Sequence, residues 1–273
     1  MKNILVPIED HRAIASVFQT AQLVSARFDG EVEVVPLGPD FEALLAAHFA
    51  VPVSISNEKA QRELLAQLRG MFNDYCGARP QLAQGKTVFT WNGDDLFSDM
   101  KIGSYGRVFD VTVVGRPSSD PRDPRQSTLE AALFESGRPI LVAPPQPPKT
   151  IGEVIAISWN ASTETARTIG LAMPFLKKAR KVTVLSVTSA MSPGPSPDLL
   201  VRALRKYDLD VSLEVISDTT QPAGRIILNR ATALGADLLL KGGYTQSRLR
   251  QMVFGGTTSL ILAEAELPVF MAH

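Results

Sequence analysis

One structural plan is written twice along this chain, and that repeat limits what it can fold into more than any other feature. Each half opens with a short apolar strand, NILVPI (3–8) and EVIAIS (153–158), and then turns helical. In 11–28, Ile14, Phe18, Ala21, Leu23 and Phe28 share a broad face. In 162–176, Ala166, Ile169, Met173 and Leu176 do the same, with Ser162 as the N-cap. β-Branched strands follow, EVEVVPL (31–37) and KVTVLSV (181–187), then second helices near 57–76 and 196–207. Third strands lie at 86–91 and 210–216, and third helices at 93–105 and 221–234. Those helices run into Gly106 and Gly235, which read as left-handed C-terminal residues. Buried fourth strands, DVTVVG (110–115) and DLLLKG (237–242), precede a last helix and a proline-led strand, RPILVAP (138–144) and LPVFMAH (267–273). The segment APPQPPKT (143–150) holds four prolines and reads as an extended linker, so the expected domains are 1–145 and 151–273.

Strands that alternate with helices form parallel βαβ units, and continuous Val/Ile/Leu runs mark strands buried on both faces. Right-handed crossovers then leave a doubly wound topology. The expected fold class is α/β: two repeated Rossmann-like domains, each an open, mainly parallel five-stranded sheet with helices on both faces. Ligands of such sheets bind beyond the strand C-termini at the topological switch point. That directs attention to 9–12 and 116–127 in the first half, and to 159–162 and 242–257 in the second. The terminal strands 139–143 and 268–272 are apolar edges, and unpaired apolar edges seek partners, so they are expected to pair with each other.

Composition excludes several classes. Acidic and basic residues balance at 28 each, which gives no basic face for nucleic acid or anionic lipid. Cys76 is the single cysteine, so no internal disulfide forms, as in a reducing cytoplasm; it reads as a packing residue. No apolar run approaches a membrane span or a secretory signal. His11, His48 and His273 are scattered, without metal-ligand spacing. Asp94, Asp95 and Asp99 read as a solvated face, and no residue offers itself as a positioned general base, so an enzyme such as a slow ATP hydrolase ranks last among the readings.

The informative loop is KGGYTQSRLRQMVFGGTTSLIL (241–262). Gly242 and Gly243 follow a strand, and Gly255, Gly256, Thr257 and Thr258 lead into a helix. Small residues at a helix start let backbone N–H groups approach an anion that the helix dipole also favours. Arg248 and Arg250 could add charge-assisted contacts to phosphate. A tight turn, an ordinary cap and solvated arginines would account for the same residues. Trp159, at the expected mouth, either stacks on a base or plugs the cleft.

With its tandem plan and this loop, the chain resembles the universal stress protein family. Nucleotide-binding members of that family carry G-x-x-G, nine residues, then G-[ST]. Gly242 and Gly255 match the first and third glycines, and ELPVFMAH (266–273) is similar to the family's last strand. Thr245 stands where the second glycine is expected and Gly256 where the Ser or Thr is expected; Asn160 and Ala161 replace an Asp and a Gly after the first strand. The first half departs further. Glu9 takes the Asp position, RPSSDPRDPRQS (116–127) has no glycine and reads as a solvated connector, and a Ser or Thr opens its last helix. The resemblance implies a cytoplasmic stress-response protein whose second half binds ATP or another adenine nucleotide, with no metal held by protein ligands. Trp159 and Asn160 would lie on the base and ribose side, and Gly242, Gly243, Thr245, Arg248, Arg250, Gly255, Gly256, Thr257 and Thr258 around the phosphates. The two domains would pair, with a homodimer and an unidentified protein as further partners. The alternative is a nucleotide-independent scaffold in which both pockets have lapsed.

Overall fold

The computed structural model describes residues 1–39, 58–79, 88–120, 122–217, 220–243 and 256–273. They form two compact units, Met1–Arg138 and Pro139–His273.

In the first unit the order is β1 (Asn3–Ile8), α1 (Ile14–Phe28), β2 (Glu31–Pro36), α2 (Glu58–Gly77), β3 (Val88–Trp91), α3 (Asp99–Tyr105), β4 (Val111–Gly115) and α4 (Gln126–Glu135). The four strands are parallel in the order β3-β2-β1-β4. Ile4, Leu5, Val6 and Ile8 of β1 and Val111 and Val113 of β4 are sealed from solvent, as apolar runs between two helical layers require.

The second unit contains β5 (Ile140–Ala143), β6 (Val154–Ser158), α5 (Thr163–Leu171), α6 (Met173–Leu176), β7 (Lys181–Val187) and α7 (Pro197–Arg205). It continues through β8 (Val211–Ile216), α8 (Ala223–Ala233), β9 (Leu238–Gly242), α9 (Gly256–Glu264) and β10 (Val269–Ala272). Strands β10-β9-β6-β7-β8 are parallel, matching the five-stranded parallel sheet expected of this half. β5 lies outside β10 and runs antiparallel to it, Leu141 facing Phe270. The two strands expected to pair therefore do so, which is why β5 is grouped with the second unit.

Several details repeat between the units. Asp110 accepts hydrogen bonds from the amides of Lys2 and Asn3, at 2.5 and 3.1 Å. Asp237 does the same for Glu153 and Val154, at 3.2 and 2.9 Å. In each unit this aspartate fixes the register between the first strand and the fourth. A Cβ on Gly103 of α3 would lie 2.8 Å from the Ala131 carbonyl, and one on Gly224 of α8 2.9 Å from that of Thr257. Each glycine lets the third helix press against the last.

Three expectations are revised. The helix expected over 162–176 breaks at Ala172, because Pro174 cannot supply the helical amide bond; α6 restarts with that proline in its first turn. The helix expected from 93 begins at Asp99, where Ser98 accepts a hydrogen bond from the Lys101 amide. Gly235 is left-handed (φ 65), but Gly106 is right-handed (φ −57). Space explains that second glycine: a Cβ would sit 3.2 Å from the Ser136 side chain and 3.3 Å from the Thr112 hydroxyl.

Candidate functional site

In the second unit the crevice lies at the ends of β6 and β9, where the chain crossovers diverge. Four of the expected site residues, Thr245, Arg248, Arg250 and Gly255, lie outside the described residues. The others can be located. Gly242 ends β9 against the first turn of α5, and a Cβ there would stand 2.5 Å from the Thr165 amide and 2.8 Å from the Glu164 carbonyl carbon. Helix–strand packing alone requires this glycine. The Gly243 amide continues the sheet by donating to the Ala272 carbonyl at 2.8 Å. Gly256 opens α9 with no neighbour among the described residues within 4 Å of a Cβ placed there, Thr257 is half-buried, and Thr258 is buried one residue on. The buried Ser259 hydroxyl, in the first turn of α9, has no hydrogen-bond partner among the described residues.

The loop after β6 is held from within. Trp159 is 5% exposed, and its indole donates to the Pro195 carbonyl at 3.3 Å, so of its two candidate roles the plug matches its position. The Asn160 side-chain oxygen accepts from the Thr165 hydroxyl at 2.7 Å and the Ser162 amide at 3.3 Å. Ser162 caps α5, as expected, by accepting from the Thr165 amide. Ala161 has φ 64, a left-handed conformation that explains why glycine suits the position and why alanine is strained there. The segment after β7 folds over this loop: the Ser192 amide donates to the Asn160 carbonyl at 2.9 Å, and Gly194 abuts Ala161.

Sequence reasoning passed over Lys241. It occupies β9 between Ser158 of β6 and Met271 of β10 and is only 3% exposed. Its ammonium donates to the Gly242 carbonyl at 2.8 Å. Burial lowers its pKa from 10.5 to about 8, with Glu164 acting in the opposite direction. The repeat itself carried the signal: DVTVVG has Val114 where DLLLKG has Lys241.

The first unit fills the corresponding crevice with its own side chains. Arg125, the residue before α4, crosses to the loop after β1: its amide donates to Glu9 at 3.1 Å, and its Nε lies 2.5 Å from the other Glu9 oxygen, out of line for a hydrogen bond. The guanidinium also donates to the Gly38 carbonyl at 3.0 Å and stands 3.7 Å from Asp99. Burial pushes the Glu9 carboxyl above its ordinary range despite Arg125. Asp99 accepts from the Thr128 hydroxyl at 2.7 Å, so it is not merely a solvated charge. The 116–127 segment is likewise more than a connector: Pro124 is buried, and a Cβ on Gly115 would meet its ring at 2.3 Å. No Ser or Thr caps α4; Arg125 takes the cap position without a side-chain capping bond. An open depression of about 380 Å³ remains beside Asp120, Asp123, Arg125 and Glu130.

Among the described residues no cluster of His, Cys, Asp or Glu could hold a metal ion, and no helix is long and apolar enough to cross a membrane. No protein-family model and no curated protein matches the sequence. Solved structures do. A universal stress protein from Archaeoglobus fulgidus DSM 4304 superposes with TM-score 0.70 at 13% identity, over 99% of this chain and 95% of its own. A candidate universal stress protein from Pseudomonas aeruginosa UCBPP-PA14 matches with TM-score 0.53 at 15% identity, over 100% and 93%. A functionally unknown protein from Pseudomonas aeruginosa PAO1 matches with TM-score 0.56 at 15% identity, over 100% and 92%. Over its full length this chain has the fold of the universal stress proteins.

Proposed function

We propose that the chain is a cytoplasmic universal stress protein with domains 1–145 and 151–273, and that its second domain binds an adenine nucleotide such as ATP. One contrast carries this reading. The first half closes its crevice with the Arg125–Glu9 pair, whereas the second ends β9 on Gly242 and opens α9 on Gly256, with no such pair among the described residues. Backbone N–H groups at a helix start suit phosphate. Asn160 and Trp159 would border the base and ribose, and Arg248 or Arg250 the phosphates.

Protein purified without added nucleotide, then denatured, should release ATP or ADP detectable by ion-exchange chromatography. At about one hundred times its dissociation constant, ATP should stabilise the native state by roughly 2.7 kcal/mol. That is a melting shift of several degrees at roughly 2–4 °C per kcal/mol. Gly255→Val should abolish the shift, and Thr245→Gly should enlarge it. No shift in either the parent or Thr245→Gly would reject the nucleotide reading.

The second reading is an interaction scaffold without nucleotide. It is favoured by the internal engagement of the Asn160 side chain and by the buried indole of Trp159.

A further inference from the structure

A lysine inside a parallel sheet needs a reason, because a buried ammonium loses its hydration and recovers it only through partners. In the first unit the same position is Val114, so the fold does not demand a cation there. The backbone fixes where the Lys241 ammonium lies. Leu239 and Gly243 direct their amides toward β10, donating to Pro268 and Ala272 at 3.0 and 2.8 Å. Strand groups alternate with period two, so the Gly242 carbonyl points the other way, toward β6. The ammonium that donates to that carbonyl therefore sits between the C-terminal ends of β9 and β6, at the switch point itself. Among the described residues no carboxylate forms an ion pair with it. Glu164 acts on it from the start of α5, Ser158 and Met271 flank it from the neighbouring strands, and Gly256–Ala263 of α9 carries no titratable group. Arg225 and Arg230 of α8 are committed to Glu264 and Glu214.

We propose that Lys241 is a phosphate-binding residue of the second half, supplying the buried positive charge that pairs with an anionic group of the ligand in the crevice between β6 and β9. This rests on the nucleotide reading for the identity of the ligand, but the anion site can be tested without it. Binding of an anion draws a proton onto the amine. Affinity for phosphate should therefore weaken as pH rises above about 8, toward the value for a neutral amine.

The test is calorimetric titration of parent and Lys241→Met with ATP, adenosine and inorganic pyrophosphate at pH 7 and pH 9. Methionine is apolar and of similar length, and Lys241→Gln serves if Lys241→Met does not fold. Expected is at least a tenfold loss of ATP and pyrophosphate affinity in the variant, unchanged adenosine affinity, and a pH dependence confined to the parent. Equal affinity of parent and variant for ATP and pyrophosphate would overturn the assignment while leaving the nucleotide reading intact. Pyrophosphate binding that depends on Lys241, without ATP binding, would leave the assignment standing and remove the nucleotide. A parent that binds neither anion would remove both.

Discussion

The two halves share a plan and differ in what occupies the crevice at the end of the sheet. In the first, side chains meet side chains: Pro124 covers Gly115, and Arg125 bridges Glu9, Asp99 and the Gly38 carbonyl. In the second, the corresponding glycine touches backbone, with the α5 start packed directly on Gly242, and a lone buried lysine stands beside it. Repeats of one fold can thus keep their register devices, Asp110 and Asp237, while one copy seals its crevice with ion pairs and the other retains a charge there. Arg125 joins the loop after β1 to the start of the last helix in the first half.

The largest effect should come from placing the same side chain at the two glycines. Gly242→Val drives its branches into the Thr165 amide and the Glu164 backbone, neither of which can move without shifting α5. Overpacking costs about 1–3 kcal/mol where neighbours can adjust and more where they cannot. The second unit should lose cooperative unfolding or most of its stability. Gly115→Val meets the Pro124 ring and Val17 side chain instead, so its cost should stay within about 1–3 kcal/mol by shifting 116–125. Urea denaturation of both variants measures the difference, and equal costs would break the comparison.

The halves should also respond to pH in opposite ranges. His11 is buried, its Nδ1 accepting from the Ala13 amide at 3.1 Å, and burial lowers its pKa from 6.5 to about 4, against the pull of Asp10 and Asp123. The unfolded chain takes up this proton first as pH falls. The contribution of neutral His11 is therefore complete above about 6.5 and lost between there and about 4, roughly 3 kcal/mol in all. Lys241 follows the same sign in a higher range. Its folded pKa of about 8 lies below 10.5, so the second unit should gain stability as pH rises from 8 to 10.5. Hydrogen exchange resolved by unit, followed at pH 4, 7 and 10, should find the first unit weakening in acid and the second strengthening in alkali. His11→Phe should flatten the first response and Lys241→Met the second.

The fold was legible because its signals are local and repeated. Strand runs, the Ser162 cap, the left-handed Gly235 and the proline-led last strands all follow from side-chain period and backbone preference. The pairing of β5 with β10 followed from two apolar edges in one chain. The site was less legible, because its chemistry lies in contacts between distant segments. Arg125 reaching Glu9 spans more than a hundred residues, and the charges and prolines of 116–127 look solvated until the loop after β1 is set beside them. Gly242 reads as a phosphate glycine in a motif, yet packing against Thr165 already requires it. Lys241 was hidden by its own strand, since LLLKG reads as buried whatever its fourth residue is.

The finest test concerns the loop after β6, where Ala161 stands in a left-handed conformation at φ 64. A Cβ in that region costs about 1–2 kcal/mol, while glycine adds back roughly 0.4–1 kcal/mol of unfolded-state entropy. Ala161→Gly should therefore stabilise the second unit by about 0.5–1 kcal/mol, a rise in melting temperature of a degree or two. The same change leaves Asn160 free to keep its bonds to Ser162 and Thr165. The first half has no left-handed residue in its equivalent loop, and Asp10→Gly there should give no such gain. A stability loss in Ala161→Gly would mean that the methyl group packed at Gly194 outweighs the backbone strain, and that the alanine holds the segment after β7 over the crevice.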